Sequence, residues 1–319
     1  MNPLSTPAER RFLLSLSVFL LGGLLGIGLM QLVVDPYGVW GTPWLDCCTT
    51  HKLVQADTER LFKPYRIARR PARVVWLGSS RVHSGFEASW PGYDNNDVYN
   101  MALDGLHVPE LTRVVDFLLA RPETTPEVVV LGVDLFMVSR RARAPRRGFS
   151  QLRLDTLATA PGWWLQVEET VLAMEAVKAS IRTLAAGPGE PVSVRGHHRS
   201  PHLQTWEAAL ELEHTTTYAG FDLSQHDLRA LLATIRRLRD NGVEVVVFVP
   251  PIHQDQLDLI ALHGLRPHLD SFRSALSETG PVVDFTLDAQ LTSDRSAFSD
   301  PGHLLPEVGR RLTAQLAAR

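Results

Sequence analysis

Four short runs of almost uninterrupted apolar residues limit what this chain can fold into: Val74–Leu77 (VVWL), Val128–Val133 (VVVLGV), Val243–Val249 (VEVVVFV) and Val282–Phe285 (VVDF). Runs of this length, rich in valine and lacking polar alternation, read as strands buried on both faces, which is the signature of a parallel sheet. Each is punctuated: Gly78 follows the first, Gly132-Val133-Asp134 closes the second, and Pro250-Pro251 ends the third. Helical patterns lie between them. Residues 106–120 place Leu111, Val114, Val115 and Leu118 on one face, and 222–241 do so with Leu228, Leu231, Leu232, Ile235 and Leu238 before an Asn241-Gly242 cap. Further helices are predicted near 265–278 and over 304–318. With Val98–Asn100 as a fifth strand, the alternation predicts a flavodoxin-like three-layer α/β/α sandwich with a parallel sheet of order 2-1-3-4-5.

A different kind of segment precedes that pattern. From Phe12 to Val34 there are 23 residues without a charge, about 35 Å as a helix and enough to cross a bilayer with some tilt. No small-x-small cleavage site follows, so one N-terminal transmembrane helix is expected rather than a removable leader. Arg10 and Arg11 stand before the segment and no basic residue follows until Lys52. The arginines place the N-terminus in the cytoplasm and the rest of the chain outside it. The expected organisation is a cytoplasmic tail (1–11), the span (12–34, in contact with lipid), a membrane-proximal connector (35–71) and an α/β domain (72–319) interrupted by an insertion at about 135–220. Gly22 and Gly26 make a small-xxx-small face within the span, which serves equally as a helix-docking or a lipid-facing surface.

The candidate chemistry gathers at strand ends. Gly78-Ser79-Ser80 follows the first buried strand at its carboxyl end, where open α/β sheets collect ligands. A serine nucleophile requires a base, an orienting carboxylate and oxyanion donors. Asp300 and His303, in the loop Phe298-Ser299-Asp300-Pro301-Gly302-His303, can deliver the first two to one point. Asn100 to Gly105 (NMALDG) and Gly132-Val133-Asp134 also end strands or precede helices. His253 follows the Val243–Val249 strand and is a weaker candidate for the base.

In this order the blocks resemble those of the SGNH (GDSL-like) hydrolase superfamily, over residues 72–134 and 243–319. The resemblance implies Ser80 as nucleophile, His303 and Asp300 as its catalytic partners, and Gly105 with Asn100 as oxyanion or substrate-binding residues. The third block departs, because the family has asparagine where Asp134 stands. An asparagine amide donates to an oxyanion, whereas an ionised carboxylate repels it. Asp134 is therefore protonated, or turned away, or the oxyanion relies on backbone N–H groups of Ser80 and Gly105. The N-terminal helix and the Gly-Ser-Ser block are similar to a membrane-anchored branch that includes the alginate O-acetylation and teichoic acid D-alanylation proteins. That branch implies a bacterial inner (cytoplasmic) membrane protein with its catalytic domain in the periplasm. It would be an acyltransferase that O-acetylates a polysaccharide acceptor, beside a multi-pass membrane-bound O-acyltransferase, with no cofactor. A membrane-anchored carbohydrate esterase (deacetylase) and a non-catalytic polymer-binding partner are the alternatives.

The remaining motifs point to no further chemistry. A net charge of −3 gives no electrostatic case for nucleic acid. Cys47-Cys48 with His51 supplies too few ligands for a structural zinc site, and His197, His198 and His202 lack a completing carboxylate, so no metal is expected. Arg140, Arg141, Arg143, Arg146 and Arg147 read as a solvated or headgroup-facing run. Trp163-Trp164 reads as core packing in preference to sugar stacking. Residues 165–185 read as one amphipathic helix.

Overall fold

The computed structural model describes residues 6–41, 55–143, 148–160, 162–186 and 205–318. Cys47, Cys48, His51, His197, His198, His202, Arg146 and Arg147 lie outside the described residues. The chain forms two units, one of Met1–Thr58 with Gly162–Val192 and one of Glu59–Pro161 with Ser193–Arg319.

The larger unit holds a five-stranded, wholly parallel sheet: β1 Val74–Leu77, β2 Val98–Asn100, β3 Val128–Gly132, β4 Glu244–Val249 and β5 Val282–Asp284, in the order β2-β1-β3-β4-β5. This is the predicted order. Val74 to Leu77 pair with Val128 to Leu131, and all eight residues are 0–2% exposed. One face of β1, β3 and β4 (Val74, Trp76, Val128, Val130 and Phe248) packs with Val308, Leu312 and Leu316 of the C-terminal helix Pro306–Ala317. Trp76 anchors this layer, its ring centroid 5.4 Å from that of Phe86 and 6.0 Å from that of Phe248. The alternate residues Val75, Leu77, Val129 and Leu131 are equally buried, so the opposite face is covered too. The helices Val108–Leu119 and Gln225–Asp240 pack on each other. Their buried faces include every apolar residue named from the sequence.

Chain reversal between β2-β1 and β1-β3 makes the carboxyl end of β1 a switch point, where the crossovers diverge and leave a crevice. Gly78 sits there with φ 151°, and a β-carbon on it would lie 2.4 Å from Val82 Cγ2 and 2.9 Å from Gly132 O. Only glycine lets the chain turn this tightly into the helix Ser80–Gly85. A two-stranded antiparallel hairpin absent from the sequence reading, β6 Phe298–Asp300 with β7 His303–Leu304, carries the final loop.

Among its described residues the smaller unit is helical. Its first helix, Pro7–Val34, begins with a Thr6–Glu9 capping box and is long and apolar enough to cross a membrane. The segment read as one helix over 165–185 is three: Trp163–Val167, a π-helical turn Glu168–Leu172, and Met174–Ala186, with extended backbone at Ala173. Trp163 and Trp164 stack on each other, 3.9 Å between ring centroids, and are 53% and 67% exposed. They do not pack in a core, contrary to the expectation from sequence.

Candidate active site

The final loop and the first strand meet. His303 Nε2 lies 2.9 Å from Ser80 Oγ, and His303 Nδ1 lies 2.8 and 2.9 Å from the two oxygens of Asp300. Ser80 is the first residue of its helix, and the preceding Ser79 caps that helix by accepting from Arg81 N. Asp300 is buried, and one of its oxygens accepts from Gly302 N at 2.8 Å, which fixes the carboxylate against its own loop. The loop is braced from β4's side, because His253 N donates to Pro301 O at 2.8 Å. His253 itself caps the helix Gln254–Leu262 through Nδ1 and packs edge-on against Trp206 and Phe298. It is a brace and does not reach Ser80 in the way His303 does.

A pocket of about 130 Å³ opens over Ser80 and His303, lined also by Gly105, Gly302, Arg81, Phe136, Glu213 and Thr217. Gly105 has φ 57°, the left-handed region open to glycine, and so turns its loop toward the serine. Leu103 N donates to Gly78 O at 2.9 Å, which ties that loop to the Gly78-Ser79-Ser80 turn. Asn100 is elsewhere. It is fully buried, its amide donates to Val82 O and Phe86 O, and its Oδ1 accepts from Ala102 N. Its work is to hold the backbone on either side of the pocket.

Asp134 is buried behind the serine turn. It accepts from Ser79 Oγ at 2.5 Å and is ion-paired to Arg81, whose other terminal nitrogen donates to Gln256 Oε1 at 3.2 Å. The carboxylate is thus engaged by Ser79 and Arg81, with no amide to offer an oxyanion. Burial alone would depress the Arg81 guanidinium. The charge of Asp134, with lesser contributions from Tyr218 and Glu213 and the hydrogen bond to Asp134, outweighs it and raises the group above its ordinary range. The donor that faces the pocket from this corner is therefore Arg81, a planar fork of five N–H groups.

A second charged cluster, which sequence reasoning missed, lies under the Gly105 loop. His83 Nδ1 is 3.0 Å from both Asp104 Oδ1 and Glu59 Oε2. Arg60 bridges Glu59 and Glu110 and donates to Asp104 O at 2.7 Å. Lys63, fully buried, donates to Ala102 O, and Asp104 N donates to Glu59. Burial and Lys63 pull the His83 imidazole down, but Glu59 and the hydrogen bonds to Asp104 and Glu59 leave it raised. Burial would push Asp104 up, yet His83, Lys63 and His303 hold it well below the carboxylate range. Burial lowers the Lys63 ammonium to about 8 despite Glu59 and Asp104. One ligand atom each from Glu59, His83 and Asp104 lie within 4.8 Å of one another. Three carboxylates nevertheless stand beside Arg60, Lys63 and His83, whose charged form the cluster favours, so the chain supplies counter-charge of its own. The visible sequence signal was Glu59 and Lys63 at i and i+4 on one helix face.

The basic run is partly tied down: Arg140 pairs with Asp222 at 3.3 Å, and Arg141 donates to Ala219 O. Compared with family models, with curated proteins and with solved structures, the chain matches none.

Proposed function

We propose that this chain is a membrane-anchored serine acyltransferase of SGNH type. It acts outside the cytoplasm and transfers an acetyl or similarly small acyl group to hydroxyls of a cell-envelope or secreted polysaccharide. The observation that carries the reading is the continuous hydrogen-bonded chain Ser80–His303–Asp300, assembled from residues more than two hundred positions apart. In the reaction Ser80 Oγ attacks the acyl carbonyl carbon as its proton passes to His303 Nε2. The carbonyl oxygen becomes an oxyanion held by the backbone N–H groups of Ser80 and Gly105. Collapse breaks the bond to the leaving group, which departs with the proton from His303 and leaves an acyl-Ser80 ester. A sugar hydroxyl then attacks that ester, loses its proton to His303, and restores the Ser80 hydroxyl. Asp300 stays ionised throughout and keeps Nδ1 protonated.

Two further features support the reading. The pocket volume suits a small acyl group rather than a long chain. Asp134, the departure in the third block, is paired with Arg81 and so presents no bare negative charge to the oxyanion. The helix Pro7–Val34 is the anchor, its arginine-bearing end in the cytoplasm and the α/β unit across a bacterial inner membrane, and a multi-pass acyltransferase is the donor partner that such an arrangement calls for.

The test is direct. Full chain incubated with an activated acetyl ester should gain the mass of one acetyl group on the peptide containing Ser80, and an added oligosaccharide should discharge it. Ser80→Ala should abolish both with folding intact. Acetylation persisting in that variant removes the nucleophile assignment. Discharge to water alone, indifferent to the oligosaccharide, would turn the reading to an esterase.

A further inference from the structure

The N-terminal helix is bare along its first part: every residue from Phe12 to Ile27 is exposed. Those sixteen residues rise only about 24 Å, short of the roughly 30 Å hydrocarbon layer they would have to cross. With Arg10 and Arg11 held at the near interface, the layer does not end until about Gln31. Other protein already covers one face of the helix by then, while Leu29 and Val33 stay exposed on the other. Gly28 meets Val171, Gln31 is fully buried and accepts from Ser180 Oγ, and just beyond the helix Trp40 Nε1 donates to Thr170 Oγ1 at 2.9 Å. The segment docked there, Gly162–Ala186, therefore starts within the apolar depth of the membrane rather than above it.

Its surface fits that position. On the helix Met174–Ala186, at roughly 100° per residue, three arcs separate. Ala176, Ala179, Ser180 and Thr183 are buried. Glu175, Lys178 and Arg182 are exposed along a second arc, the first two paired at 2.8 Å. The third arc, between the other two, carries Met174 and Ile181, both exposed. With Trp163, Trp164 and Leu172 these form an apolar surface whose exposure runs from 53% at Trp163 to 68% at Met174. Five large apolar side chains so exposed in one short segment are unusual for a water-facing surface. A helix with an apolar arc beside a charged one, preceded in the same segment by an exposed tryptophan pair, is built for the membrane interface.

We infer that Gly162–Ala186 is a second membrane element: an interfacial helical segment that docks on the far end of the anchor and buries Trp163, Trp164, Leu172, Met174 and Ile181 in lipid of the outer leaflet. Gln31 is thereby shielded from hydrocarbon by Ser180, which explains a polar residue within the span. The inference rests on the anchor reading of Pro7–Val34 and is independent of the acyl-transfer chemistry.

The test uses full chain with Cys47 and Cys48 replaced by serine, reconstituted in phosphatidylethanolamine–phosphatidylglycerol vesicles. Single nitroxide labels are placed through Leu172→Cys, Met174→Cys and Ile181→Cys. References are Leu21→Cys in the anchor, Glu175→Cys on the charged arc and Glu278→Cys in the α/β unit. Oxygen should relax the first three labels several-fold more than a water-soluble nickel chelate does, as at Leu21, with the order reversed at Glu175 and Glu278. Chelate access at Leu172, Met174 and Ile181 overturns the inference by placing them in water. Shielding from both reagents overturns it in favour of a covering protein. Chelate access at Leu21 overturns it together with the anchor. As a second measurement, Trp163→Phe with Trp164→Phe should remove a large share of the tryptophan emission quenched by brominated lipid, and unchanged quenching overturns the inference as well.

Discussion

Two histidines meet at the helix Ser80–Gly85, His83 from within it and His303 against its first residue; each faces carboxylate through Nδ1, and the two sites have opposite characters. His303 has Asp300 on one ring nitrogen and a hydroxyl on the other, and its side chain is 20% exposed to the pocket. His83 has Glu59 and Asp104 on Nδ1, a side chain 4% exposed, and Lys63 and Arg60 in the same cluster. The first arrangement leaves a nitrogen facing a group that can give and take a proton. The second encloses charge among charge and spends its hydrogen bonds on the backbone of Ala102 and Asp104, next to Gly105. A His–carboxylate pair therefore says little by its composition. What faces the remaining nitrogen decides whether it moves protons or holds a loop.

The largest effects should separate the two sites outright. Ser80→Ala or His303→Gln should lower acyl transfer by about 10⁶-fold, and Asp300→Asn by on the order of 10⁴-fold, because these groups act as a unit. Neither Ser80→Ala nor His303→Gln should move the unfolding temperature by more than a degree or two, since both residues line an open pocket. Steady-state transfer rates beside thermal melts of the same preparations check both halves. A Ser80→Ala variant that melts far below the wild type would mean that this serine is structural.

Glu59→Gln should do the reverse. It keeps the shape but removes one charge from a buried network, leaving Arg60 and His83 under-compensated, at a cost of about 3–5 kcal/mol in stability. Activity per folded molecule should fall less, through a loosened Gly105 loop, and the loss should appear at saturating donor as a lower kcat. Chemical unfolding of the variant reads the first effect. An unfolding midpoint equal to the wild type would show that the cluster is not a clamp.

How far each site was legible in the sequence follows the same division. Ser80, Asp300 and His303 stand in ordered blocks beside glycines, and the apolar runs fix the sheet that brings them together, so local chemistry and global topology point to one place. Glu59 and Lys63 fall in a stretch read only as a polar connector, because nothing local says that it will be buried. Asp134 was visible as an odd residue, but its meaning depends on Arg81, 53 positions away, and a pairing across two strand ends leaves no periodic trace. Glu213 and Thr217 reach the pocket from a π-helical turn, Glu213–Tyr218, within the stretch read as an insertion. Such turns carry no sequence pattern of their own.

The smallest effect concerns pH, and its sign distinguishes the partners of the buried cluster. His83 is raised in the folded chain relative to an unfolded value near 6.5. Between those values the native state holds a proton that the unfolded chain has released. The stabilisation is complete below the unfolded value and is lost as pH rises through the folded one, with a slope no steeper than about 1.4 kcal/mol per pH unit. Lys63 acts with the opposite sign. Held at about 8 when folded, it releases its proton before the unfolded lysine does, so stability recovers above that pH toward the ordinary lysine range. Asp104 stays ionised throughout this window and contributes no slope. Unfolding midpoints of the full chain between about pH 5 and pH 10 should therefore fall and then rise. His83→Gln should flatten the descent, and Lys63→Met the ascent. A descent that survives His83→Gln would assign it to another group and leave His83 a neutral member of the clamp.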